Sequence, residues 1–154
     1  MDFFIAPEFI WAAMENHGLV FLSDDLFDTE SQDSALLLMT HEIVHHWIGN
    51  YVSFPTWIKE GITRYYEFVL TSKIHKEEPS KFSKVFKEVF KKPPKKPIEE
   101  VFQVTYDYSE TLRWFLYLIE KIGIETFENN LRTILSKYGN DFISEEDFLK
   151  QIQN

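Results

Sequence analysis

The chain has no cysteine, so disulfides and thiolate metal ligands are excluded from any account of it, though its compartment is not decided by that. Positive charge is also scarce: 16 Lys and Arg stand against 25 Asp and Glu, for a net charge of −9. That balance disfavours nucleic acid and anionic membrane surfaces, and it suits cations, including a metal ion or a substrate ammonium. Long apolar runs are missing as well. No stretch approaches the eighteen or so apolar residues of a spanning helix, so no membrane association is expected. The opening residues, Met1-Asp2-Phe3-Phe4-Ile5, lack the basic start and apolar run of a secretory signal. A soluble cytoplasmic protein is the default expectation. At 154 residues the chain is long enough for one domain around one core, and no internal repeat divides it. What it has in abundance is aromatic residues, at 17%, which predicts a core filled largely with rings.

The order of elements reads as a little β followed mostly by α. Residues 2–6 and 18–23 are short β-forming apolar runs, with an irregular or edge segment from Pro7 to His17 between them. Asp24 to Asp33 reads as an acidic surface loop. Asp33 or Ser34 can cap a helix with its body from Ala35 to Ile48, stopped by Gly49-Asn50. Pro55 suits the first turn of a second helix, running to about Ser72 or Ile74. A third is predicted over Ser80 to Phe90, followed by the break Lys91-Lys92-Pro93-Pro94-Lys95-Lys96-Pro97, which reads as a solvated turn. Asp107 to Ile122 and Glu125 to Tyr138 are amphipathic, with Gly123 and Gly139 just past their ends. Ser144 and Asp147 form a capping box for a last helix to Ile152. The predicted fold is α+β and mainly α: one domain over 1–154, β-rich through residue 33 and helical from 34.

The chemistry is concentrated in His41-Glu42-Ile43-Val44-His45. A helix turns about 100° per residue, so His41 and His45 lie roughly 40° apart on one face and can grip one ion. Glu42, one step round, can reach a water on that ion. Chance yields H-E-x-x-H on the order of once in a few hundred chains of this length, so the motif is specific. A catalytic zinc site wants three protein ligands and an open position. Glu60, in Trp57-Ile58-Lys59-Glu60-Gly61 on the second helix, is the best third ligand because a short turn makes the two helices neighbours. Glu67, two turns further along the same face, is expected to accept a hydrogen bond from a ligand imidazole. His46 points away from His45, and His75 lies in a solvated Lys/Glu-rich run.

At these residues the chain resembles a known family. Trp11-Ala12-Ala13-Met14-Glu15-Asn16-His17-Gly18-Leu19 is similar to the G-A-M-E-N-W-G-L segment of the zinc aminopeptidases related to aminopeptidase N and leukotriene hydrolase. His41 to Asn50 resembles their H-E-L-A-H-Q-W-F-G-N, Trp57 to Gly61 their W-L-N-E-G, and Tyr108-Ser109 their Y-S-K-G or Y-E-K-G. The four segments occur in family order. The resemblance implies a thermolysin-like catalytic lobe, a small twisted sheet packed on helices. It implies His41, His45 and Glu60 as ligands of one zinc ion, Glu42 as general base and Glu67 as their support. It further implies Glu15 as the anchor for the substrate's free α-amino group, Ala12 and Ala13 as contacts to the peptide backbone, and Tyr108 as the group that stabilises the oxyanion.

The chain also departs from the family. Fourteen residues lie between His45 and Glu60, a connection shortened near Ser53-Phe54-Pro55-Thr56 relative to the family pattern. Ala12 stands where the motif has its first Gly, His17 where it has Trp, and Glu110-Thr111 follow where Lys-Gly is usual. His17 is expected to pack, the alternative being that it lines the pocket. Family members are far longer. Three readings stay open at this point: a zinc aminopeptidase or its catalytic core acting on peptides with a free N-terminus; a zinc-binding module that is catalytically impaired or depends on a partner chain or further domains to complete the lobe; and an endopeptidase or epoxide hydrolase on the same site. Cobalt or manganese could fill the same ligands.

Overall fold

The protein is described from a computed structural model covering residues 1–29, 31–74 and 108–153, with the backbone alone at Thr29, Tyr108 and Ser109. Its elements are β1 (Asp2–Ala6), β2 (Ala13–Asn16), β3 (Leu19–Ser23), α1 (Leu26–Thr29), α2 (Gln32–His45), α3 (Thr56–Ile74), α4 (Tyr108–Ile122), α5 (Ile124–Lys137) and α6 (Glu145–Ile152). The fold is therefore α+β and mainly α, as predicted. The helix expected over Ser80–Phe90, the Lys91–Pro97 break and His75 lie outside the described residues. Among the described residues, no helix is long and apolar enough to cross a membrane.

Three local readings are corrected. The segment Pro7 to His17 is not wholly irregular: Ala13–Asn16 forms the edge strand β2. The acidic loop contains the one-turn helix α1. Helix α2 begins earlier, because Ser31, rather than Asp33 or Ser34, is its cap; the Ser31 hydroxyl accepts from Ser34 N at 3.2 Å. Helix α2 thus begins at Gln32 and closes at His45 instead of Ile48. The cap of α6 is as expected, with Ser144 Oγ accepting from Asp147 N at 3.1 Å.

The sheet order is β1-β3-β2, with β1 parallel and β2 antiparallel to the central β3. Alternation along β3 buries Val20 and Leu22 on one face, where they meet Leu26, Ala35, Leu38 and Met39. Paired residues on neighbouring strands share a face, so Glu15, opposite Val20, and Ala13, opposite Leu22, are turned toward α2. Met14, on the other face, is exposed, as are Phe3, Phe4 and Ile5 of β1.

Helix α2 lies between this sheet and α3, which explains why it buries polar residues as well as apolar ones. The main core sits on the far side of α3, where Trp57, Ile58, Ile62 and Tyr65 meet α4, α5 and α6. Phe115, Phe127 and Phe148 are fully buried there, so the core is indeed filled with rings. Backbone bonds hold the short α2–α3 connection in place: Gly49 N donates to Val52 O at 2.9 Å, and Ser53 N donates to Asp141 O at 2.9 Å. It leans on the turn between α5 and α6.

Gly61 lets α3 and α4 approach. A Cβ there would stand 2.3 Å from Phe115 Cδ2 and 3.3 Å from Thr111 O, so ring and backbone both block it. Gly61→Ala is expected to destabilise the fold by about 1–3 kcal/mol through overpacking, despite alanine's better helix propensity. Denaturant titration measures this; unchanged stability would mean that the two helices can separate freely.

Candidate metal centre

Helices α2 and α3 run antiparallel and meet along a buried polar stripe. On α3 it comprises Glu60, Thr63, Glu67 and Thr71, spaced three or four residues apart and all buried. On α2 it comprises Thr40, His41 and His45. Thr71 donates to Thr40 Oγ1 at 3.4 Å, at one end of the stripe. At the other end His41, His45 and Glu60 converge.

Each imidazole has its ring orientation fixed. His45 Nδ1 lies 3.0 Å from the backbone oxygen of Ile48, which can only accept, so Nδ1 carries the proton and donates. Thr63 Oγ1 is 3.2 Å from the same nitrogen. His41 Nδ1 donates to Glu67 Oε2 at 2.9 Å. The Glu67 carboxylate is itself held by Arg64 Nη1 at 2.7 and 2.9 Å. With both Nδ1 atoms donating, the two Nε2 atoms are the ones left to face each other, at 3.0 Å, and each offers a lone pair whenever its ring is neutral. Glu60 Oε2 completes the triangle, 3.3 Å from His41 Nε2 and 3.6 Å from His45 Nε2.

Three electron-rich atoms this close repel unless a cation lies among them. Ligand atoms about 2.05 Å from a tetrahedral zinc ion stand roughly 3.3 Å apart, so the triangle has the dimensions zinc requires. The electrostatics agree. Burial disfavours a charged His41, yet hydrogen bonding to Glu60 and Glu67 overrides it and raises its pKa to about 9. Burial also opposes ionisation of Glu60, but His41, His45 and Lys59 outweigh it and hold its carboxyl well below the usual carboxylate range. The point between these side chains favours positive charge, and a proton and a divalent ion compete for it. The residues present fit a zinc ion.

Glu42 lies beside this triangle without being part of it. Its Oε2 is buried and has no hydrogen-bond partner. Burial raises its pKa, against the pull of His41 and His45. A buried, unsatisfied carboxylate oxygen is costly in a finished fold, and it suits a group that receives a proton. Glu15 reaches the same place from β2: ligand atoms of Glu15, Glu42 and His45 lie within 4.8 Å of one another.

The remaining expected residues divide. Ala13 is half-buried at the start of β2. Ala12 is exposed, and its carbonyl accepts from Ser23 N at 3.0 Å. Tyr108 opens α4, and its side chain lies outside the described residues, as does Tyr106. His46 follows α2 as its C-cap; its Nδ1 lies 3.1 Å from Glu42 O, away from the triangle. The expectation that His17 packs is overturned: it is exposed, because the chain turns there between β2 and β3, with Gly18 at φ 76°. Three contributors escaped sequence reasoning. Thr63 and Arg64 carried a signal in their three- and four-residue spacing to Glu60 and Glu67. The third, Lys59, bridges Glu15 Oε1 at 3.1 Å and Glu60 Oε1 at 3.2 Å, and its signal was a Lys in place of the Asn of W-L-N-E-G.

Comparison with known proteins agrees with the geometry. The model of the peptidase family M1 domain matches residues 1–154. Human endoplasmic reticulum aminopeptidase 1 is 34% identical over 49% of this chain and 9% of its own length. Human thyrotropin-releasing hormone-degrading ectoenzyme is 29% identical over 91% of this chain and 16% of its own. Among solved structures, native leukotriene A4 hydrolase from Saccharomyces cerevisiae superposes with a TM-score of 0.72 at 20% identity, covering 98% of this chain and 28% of that one. A mutant M1 zinc metallopeptidase from Deinococcus radiodurans, bound to a Tyr-Ser-Ala substrate, superposes at 0.63 and 18% identity, covering 97% and 35%. The chain thus spans less than a fifth of these curated relatives and about a third of these solved structures. With that family's domain matched along its whole length, the chain belongs to peptidase family M1.

Proposed function

We propose that this chain carries the catalytic centre of a zinc aminopeptidase, with His41, His45 and Glu60 holding one zinc ion. The observation that carries the reading is the convergence of two imidazole Nε2 atoms and one carboxylate oxygen, 3.0–3.6 Å apart, beside a Glu42 whose buried Oε2 has no hydrogen-bond partner. Bound there, zinc supplies Lewis acidity, lowering the pKa of a water toward neutrality and polarising the scissile carbonyl. Glu42, beside the site, would serve as the base, taking a proton from the attacking water and passing it to the leaving amine. Glu67, clamped by Arg64, keeps the His41 ring turned with Nε2 toward the metal. Tyr108 is assigned to the developing oxyanion.

Glu15 supplies the exopeptidase character. It stands on the face of β2 turned to α2, so a substrate ammonium on its carboxylate brings the first peptide bond, and no later one, to the metal. Among the described residues β2 has no strand on its outer side, which leaves its backbone free to pair with an extended peptide near Ala12 and Ala13. The names of the relatives support this choice of reaction. Aminoacyl-coumarin and N-acetyl-aminoacyl-coumarin substrates test it. Zinc-dependent turnover of the free-amine substrate alone is expected, with Glu15→Gln raising its KM about 10–100-fold through loss of a charge-assisted contact. Equal turnover of both substrates would point to an endopeptidase instead.

A second reading, a zinc site that depends on a partner, draws on one observation. Phe3, Phe4, Ile5, Ile10, Trp11 and Met14 leave the sheet with an apolar exposed surface. In that case the chain alone binds zinc and hydrolyses neither substrate.

A further inference from the structure

The ammonium nearest the proposed amine anchor belongs to the chain itself. Lys59 Nζ lies 3.1 Å from Glu15 Oε1 and 3.2 Å from Glu60 Oε1. The other oxygen of Glu60 is the one facing the two imidazoles, so Lys59 and the metal triangle divide that carboxylate between them. The placement is built in. The stem of Lys59 runs over Gly49, where a Cβ would stand 3.0 Å from Lys59 Cδ, and Gly49 itself has φ 130°. A side chain at position 49 would be strained and would push the stem aside. The Lys59 side chain is 25% exposed and that of Glu15 is 20% exposed, so the pair is shielded from full solvent screening.

We propose that Lys59 is a specificity-determining residue: an internal ammonium that shares Glu15 with the substrate's α-amino group and weakens the site's preference for a free N-terminus. The proposal rests on the aminopeptidase reading above, in which Glu15 is the amine anchor. It works in two ways. One oxygen of Glu15 already accepts a charge-assisted hydrogen bond, and a second ammonium arriving there meets a like charge a few ångströms away. Asn, the residue of the family motif, carries no charge and cannot act so. Lys59 also offsets part of the negative charge of Glu15 and Glu60, an offset to which a cationic substrate terminus would otherwise contribute more.

Isothermal titration of the zinc-loaded chain with L-leucine and N-acetyl-L-leucine tests this without turnover. The two probes share a carboxylate and a side chain and differ in the ammonium. In Lys59→Met, which keeps an unbranched stem, L-leucine is expected to bind about five- to tenfold more tightly, with N-acetyl-L-leucine unchanged. Lys59→Arg is expected to bind like the wild type. In a Glu15→Gln background the effect of Lys59→Met is expected to vanish, a non-additivity that a merely structural lysine would not produce. Zinc content, measured on every variant, is expected to stay at one per chain. Unchanged or weaker L-leucine binding in Lys59→Met overturns the proposal, and so does loss of zinc, which would make Lys59 a support for Glu60. If the wild type does not prefer L-leucine over its acetylated form, the aminopeptidase reading falls with it. A preference that is present but indifferent to Lys59 overturns this inference alone. Lys59→Gln provides the same comparison should Lys59→Met fail to fold.

Discussion

Glu42→Gln is expected to keep zinc bound and to lower kcat by about 10²–10⁴-fold. Glutamine has the size of glutamate and retains an acceptor oxygen, but it cannot take up a proton at neutral pH. Glu42 contributes no atom to the triangle of His41 Nε2, His45 Nε2 and Glu60 Oε2, so the ion loses no ligand. The fold loses nothing either. Burial already pushes the Glu42 carboxyl toward its neutral form, and an amide removes that conflict. The signature is thus a dead site in a chain whose zinc content and melting temperature are at least those of the wild type. Turnover within about tenfold of wild type would remove Glu42 as the base.

His45→Ala is expected to do the reverse, abolishing turnover because the metal is gone. It removes one of the three proposed ligands, the ring that Ile48 O and Thr63 orient from behind. Losing a partner that only orients a ligand typically costs 10–100-fold in metal affinity, and losing the ligand itself exceeds that. The variant also empties a buried site, since His45 is only 2% exposed. Zinc per chain after dialysis, measured by mass spectrometry, is expected to fall to background. A variant that retains one zinc per chain would show the ion to be held elsewhere. Taken together, the two variants separate proton transfer from metal binding.

Much of this centre was legible in the sequence because it is written in helix periodicity. His41 and His45 are one turn apart, Glu60 and Glu67 two turns apart, and the short run from Asn50 to Pro55 makes their helices neighbours. The shortened connection does not separate Glu60 from the imidazoles, because hydrogen bonds to the α5–α6 turn hold it in place. Those bonds join residues far apart in sequence, so no local pattern reports them. Strand β2 was hidden for a similar reason. Ala13-Met14-Glu15-Asn16 has little β-propensity of its own and is a strand because β3 pairs with it. Without that register, the side of the strand on which Glu15 lies could not be derived from spacing alone. The exposure of His17 and the reach of Lys59 across to Glu15 depend on the same pairing. The cap of α2 was ambiguous because Ser31, Asp33 and Ser34 all have the right chemistry, and only the backbone path selects Ser31.

X-ray absorption at the zinc edge, on chain loaded with one equivalent of zinc, tests the central claim most directly. The account predicts a four-coordinate ion with two imidazole nitrogens and one carboxylate oxygen at about 2.0–2.2 Å, the last position being taken by water. A shell made only of oxygens, or one with a single imidazole, would contradict it.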